Sequence, residues 1–117
     1  MSKPDSLAGG EALRLSELIA PAPSGIASRV LAKATGGSVS LFAFDEGKGL
    51  SQHTAPFDAL LLVLDGSLSV TIGENRVNAE PGTIIRLPAN IPHAVDATAA
   101  SRMLLIMLRE TGASTQL

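Results

Sequence analysis

The chain contains no cysteine, no tryptophan and no tyrosine, and only three phenylalanines among its 117 residues. Without cysteine there is no disulfide framework, no thiolate nucleophile and no Cys-ligated zinc. With so few aromatic rings, a pocket must be lined mainly by aliphatic side chains, which weighs against recognition of bases or sugars by stacking. An excess of basic charge is missing too: nine Lys and Arg against eleven Asp and Glu leave a formal charge of −2. The basic residues are scattered, so there is no positive field for a phosphate backbone, and nucleic acid is not an expected partner. Long apolar runs are also lacking. Ala59 to Leu64 is far too short to span a bilayer, and Met1 to Gly10 has neither the basic start nor the apolar stretch of a signal peptide. These absences lead to the expectation of a soluble, cytoplasmic protein with no membrane partner.

What is present is a chain 45% apolar and only 17% charged. That balance belongs to a packed globule of one domain. An N-terminal arm over residues 1–24, partly flexible, is expected to precede a barrel domain over 25–110, with a C-terminal tail over 111–117. Within the arm, Glu11 to Ala20 reads equally as a short helix or an extended segment. After the turn-rich Pro21 to Gly25 come short β-prone runs divided by turn residues. The first is Ile26 to Lys33, and Val39 to Phe44 follows Gly36-Gly37. Leu60 to Leu64, Leu68 to Ile72, Arg76 to Ala79, Thr83 to Leu87, His93 to Ala97 and Arg102 to Leu108 complete the series. Leu68, Val70 and Ile72 alternate with Ser67, Ser69 and Thr71, the period of two expected of a half-buried strand. Turns every eight to twelve residues favour an all-β sandwich or closed barrel over βαβ units.

Two stretches carry chemistry. GKGLSQHTAPFDALLLVLDG runs from Gly47 to Gly66, and GTIIRLPANIPHAVDA runs from Gly82 to Ala97. The only two histidines of the chain, His53 and His93, fall one in each. Gly66 and Gly82 stand where tight turns need positive φ, and Asn90 is the residue other than glycine that best tolerates left-handed geometry. Pro88 and Pro92 bracket a rigid loop that restarts a strand at His93.

Together these stretches resemble the two motifs of the cupin superfamily, specifically its small single-domain conserved-barrel members. The resemblance implies a double-stranded β-helix, that is, a jelly-roll barrel. It also implies a divalent transition metal, one of Fe, Ni, Mn or Zn, held by His53 and His93. The family's second motif-1 histidine and its glutamate are replaced here by Ala55 and Ala59, and the last asparagine of the second motif by Ala97. Asp58 is the nearest carboxylate. It lies one residue before the glutamate position, so it faces the pocket only if a β-bulge re-aims it. Arg86 is expected to point outward into solvent. Met103 and Met107 read first as packing residues and second as part of an aliphatic pocket wall. The ligand pocket is therefore assigned to Ala55, Asp58, Ala59, Met103 and Met107 beside the histidines.

The two alanines leave a wider, more apolar cavity that suits a small organic ligand with one polar or anionic end. One reading is a metal-dependent enzyme on a small organic substrate; the other is a metal-free sensor or carrier. The resemblance does not choose between them, because one fold hosts many functions. Exposed sheet edges, and the habit of small cupins, lead to the expectation of a homodimer.

Overall fold

A computed structural model describes residues 7–110. The expected tail at 111–117 and the first six residues of the expected arm lie outside the described residues. Nine strands follow a single 3-10 turn at Leu15–Glu17: β1 Ile26–Ala34, β2 Gly37–Phe44, β3 Gly49–His53, β4 Asp58–Asp65, β5 Leu68–Ile72, β6 Asn75–Ala79, β7 Ile84–Leu87, β8 His93–Ala97 and β9 Ser101–Leu108. All pairings are antiparallel. One sheet has the order β1-β2-β9-β4-β7 and the other β3-β8-β5-β6. This is the all-β, two-sheet architecture expected from the alternating runs, and the jelly roll that the resemblance implies.

The core lies between the sheets and follows directly from the period of two. Ala59, Leu61 and Val63 of β4 are buried, paired across the ladder with Met107, Leu105 and Met103 of β9. From the smaller sheet, Leu68 and Val70 of β5 pair with Ala97 and Val95 of β8 and complete the core. Each large aliphatic side chain fully buried in this way stabilises the fold by about 1.5–3 kcal/mol.

A second apolar layer was not foreseen. Leu31, Leu41 and Ala43 are buried on the opposite face of the larger sheet. Two arginines tie the N-terminal arm to this sheet. Arg29, paired with Leu41, donates to the Leu18 carbonyl at 3.2 Å, and Arg102, paired with Ala43, donates to the Ile19 carbonyl at 2.9 Å. Arg102 also pairs with Asp65 at 2.7 Å. Arm residues 7–24 thus include segments docked on the sheet, and the undecided Glu11 to Ala20 stretch has no regular structure apart from the one 3-10 turn.

Two turn residues explain why the strands reverse where they do. Gly66 has φ +82, and a Cβ there would collide with the Ser101 hydroxyl and the Ala100 carbonyl. Asn90 adopts φ +66, the left-handed geometry anticipated for it. Ser69, expected to face solvent, is instead buried, because β5 is a central strand with Asn78 and Asp96 flanking it.

Candidate functional site

His53 ends β3 and His93 begins β8, and the two are directly paired across the ladder. Leu50 pairs with Val95 and His53 with His93, so three steps along β3 match two along β8. An extra residue is therefore accommodated at Ser51–Gln52. Without that bulge, the odd spacing would turn His53 to the face opposite Leu50, away from the core. With it, Leu50 packs against the core and His53 meets His93, whose neighbour on the other side, Ile72, also packs against the core.

The imidazoles meet edge to face, with centroids 4.3 Å apart and the two Nε2 atoms 3.1 Å apart. His93 is only 6% exposed, whereas His53 is open to solvent. Each Nδ1 lies against a backbone carbonyl two residues earlier, His53 against Ser51 at 2.9 Å and His93 against Ile91 at 3.3 Å. A carbonyl only accepts, so these contacts assign the proton to Nδ1 in both rings. Both Nε2 atoms are then unprotonated acceptors 3.1 Å apart. Burial, and secondarily the neighbouring His53, hold the His93 pKa below its ordinary 6.5, against an opposing contribution from the Ile91 carbonyl. A neutral, ligand-competent imidazole is the result.

The other expected pocket residues divide. Ala59 lies on the inner face of β4, 5% exposed, paired with Leu87 and Met107. Met107 packs partly buried against the core in the same cross-strand row. Met103 is a correction: it has no exposed surface and pairs with Val63 deeper in the barrel, so it fills the core and lines no solvent-accessible pocket. Ala55 sits half-buried in the β3–β4 loop, where its carbonyl accepts the Asn90 N–H at 2.7 Å.

Asp58 is the second correction. It stands one step out of phase with Ala59, and β4 is regular there, so its side chain lies on the outer face. The bulge that would have turned it inward occurs in β3 instead and re-aims His53. Asp58 accepts the Ala89 N–H at 2.8 Å and pairs with Arg86 at 3.3 Å, and Arg86 is exposed as anticipated. Among the described residues no group of three or more His, Cys, Asp or Glu side chains could together hold a metal ion.

Sequence reasoning did not find the cleft of about 510 Å³ between the free edges of β6 and β7. Ile72, Asn75, Val77, Ile84 and Ile85 are among its lining residues. Ile72 is the cross-strand neighbour of both His93 and Asn75, and it is the one residue through which the cleft adjoins the strand pair that carries His93; neither histidine lines the cleft. Val77 and Ile84 are 42% and 58% exposed, and these two apolar residues outside the core were the available signal.

Two sheets closed around an apolar core, with paired histidines at the junction of β3 and β8, define a jelly-roll barrel with a small polar site. The family model described as Cupin domain matches residues 40–108, and the chain belongs to that family. A conserved Streptococcus pyogenes protein of unknown function superposes with a TM-score of 0.88 at 28% identity, over 96% of this chain and 98% of that one. A cupin superfamily protein from Desulfitobacterium hafniense gives 0.84 at 28% identity, over 89% and 95% of the two chains. A Cupin 2 conserved barrel domain protein from Leptotrichia buccalis is 34% identical with a TM-score of 0.79, over 83% of this chain and 47% of that one. No curated protein matches the sequence. Among the described residues no helix is long and apolar enough to cross a membrane.

Proposed function

We propose that the barrel binds a small organic molecule through a divalent transition metal held by His53 and His93. The observation that carries this reading is the pair of lone-pair-bearing Nε2 atoms 3.1 Å apart. Two unprotonated nitrogens this close repel unless a cation, a metal ion or a shared proton, lies between or beside them. Two nitrogens each roughly 2.0–2.1 Å from a common ion lie about 3 Å apart when they occupy adjacent coordination positions. The donor set therefore fits Fe, Ni, Mn or Zn as a two-histidine site, and it lacks the carboxylate of the family's full set.

Such an ion supplies Lewis acidity toward an oxygen of the bound molecule. The chain's own residues do the rest. The carbonyls of Ser51 and Ile91 fix the two tautomers, acting as outer partners of the ligating rings. Ala59 and Met107 supply apolar surface on the inner face of the barrel, and Ile72 links His93 to the neighbouring cleft, whose volume lies within the roughly 300–1,000 Å³ usual for small-molecule sites. A ligand with one carboxylate or enolate end and an aliphatic body matches this combination. That no third ionisable side chain joins the pair among the described residues supports the second reading, a metal-free carrier whose imidazoles hold the anion directly.

Cobalt titration followed by absorbance, with elemental analysis of the purified protein, separates the two. One equivalent bound by the natural protein, and none by His53→Ala or His93→Ala, supports the metal reading. No binding by the natural protein, with an organic molecule co-purifying, supports the carrier.

A further inference from the structure

The histidine pair occupies an insecure place in its ladder. On one side lies the bulge at Ser51–Gln52, where regular pairing is broken. On the other side β3 ends at His53 and β8 begins at His93, so no further rung follows. What joins the segments beyond the histidines is a pair of hydrogen bonds from the β7–β8 loop to the β3–β4 loop and the first residue of β4. The Asn90 N–H donates to the Ala55 carbonyl at 2.7 Å, and the Ala89 N–H donates to the Asp58 carboxylate at 2.8 Å. Ala55 and Asp58 follow His53 within five residues, and Ala89 and Asn90 precede His93 within four.

We propose that Asp58 is a positioning residue: its carboxylate clamps the Pro88–Pro92 loop to the start of β4 and thereby sets the separation of the His53 and His93 rings. As it bears on metal binding, the inference rests on the reading given above, while the clamp itself concerns the spacing of the rings. The contact to Ala89 is the operative one. It is a short charge-assisted bond to a partly buried backbone donor. The contact to Arg86 is longer and exposed, with side-chain exposures of 63% and 37%, and an ion pair of that kind contributes little. The joined segments run directly from His53 and into His93, so loosening them moves a donor atom relative to its partner.

Three variants isolate the clamp. Asp58→Ala removes the acceptor, Asp58→Asn keeps an acceptor oxygen and removes the charge, and Arg86→Ala removes only the exposed ion pair. Cobalt affinity is expected to fall at least tenfold in Asp58→Ala, the order seen when an outer partner of a metal ligand is lost. It should stay within about threefold of the natural protein in Asp58→Asn and Arg86→Ala. The metal-free readout is the cross-relaxation between ring protons of His53 and His93, whose centroids are 4.3 Å apart. It should disappear in Asp58→Ala and persist in the other two, in samples whose amide spectra show an intact fold.

If the natural protein binds no cobalt, the metal reading fails while the ring contact still tests the clamp. An Asp58→Ala protein that keeps the ring contact overturns the proposal. So does an Asp58→Asn protein that loses it as completely as Asp58→Ala.

Discussion

Ala59→Glu restores a carboxylate at the position where the family motif has one, and it tests the interior directly. Ala59 is 5% exposed, and its cross-strand neighbours are Leu87, at 2%, and the partly buried Met107. A glutamate there carries its carboxylate among aliphatic side chains. Leaving a buried charge without a partner costs about 3–5 kcal/mol, and because the group can neutralise itself by taking up a proton, the lower end applies. For a domain of this size about 1 kcal/mol moves Tm by ~4 °C, so Ala59→Glu should melt about 12 °C below the natural protein in chelator. A divalent ion that reaches the new carboxylate and both imidazoles reverses this. At a hundredfold excess over Kd it returns about 2.7 kcal/mol, or nearly the whole loss. Adding Ala55→His should raise the affinity further. Scanning calorimetry with chelator and then with cobalt or nickel reads both halves. A variant melting within about 2 °C of the natural protein in chelator refutes the dry, inward placement of position 59. A variant melting low but gaining no more from metal than the natural protein refutes convergence of that position with the histidines.

Stability should also depend on pH through His93. Its pKa is lowered in the folded state, so the unfolded chain takes up the proton more readily. The contribution is complete above the unfolded value of about 6.5 and is lost as pH falls through it toward the lowered one. Urea midpoints in chelator should therefore decline between about pH 7 and 5.5 more steeply than in His93→Asn, and parallel declines would contradict this. Gly66→Ala should destabilise by at least about 2 kcal/mol, since a left-handed backbone and a collision with Ser101 and Ala100 coincide there. Gly82→Ala, with φ +86 and open space around it, should cost only about 1 kcal/mol. Equal costs in urea unfolding would show that the Gly66 contact is not tight. Finally, the outer face of the larger sheet carries Leu60, Leu62, Leu104 and Ile106, all partly exposed, beside Ile84. A homodimer through this face should dissociate in Leu62→Asp. A sedimentation mass near the 12.0 kDa of one chain for the natural protein would refute it.

The fold was legible because turn chemistry and alternation agree. Gly66, Gly82 and Asn90 adopt the positive φ assigned to them, and β5 and β8 have the bounds read from their residues. The meeting of His53 with His93 followed from motif spacing. Other features had no local signature. A bulge at Ser51–Gln52 is a property of the pairing of two strands, and neither strand shows it alone. Asp58 was judged against an absent carboxylate, and its real partner, the Ala89 N–H, lies 31 residues away. The docking of the arm depends on Arg29 and Arg102 reaching carbonyls, and backbone acceptors leave no trace in side-chain patterns. Met103 and Met107 look alike in sequence, and their depth in the barrel separates them.

The bulge in β3 makes this strand tolerant of substitution and of the loss of its one extra residue. Ser51 and Gln52 point into solvent, and exchanging either for another polar residue alters little. Deleting one of them would let the ladder run regularly from Leu50 onward, two steps matching two, and the histidine would still pair with His93 on the face that Leu50 occupies. Between related barrels, a gap of one residue at this point therefore leaves the two imidazoles opposite each other, as several substitutions around it also do.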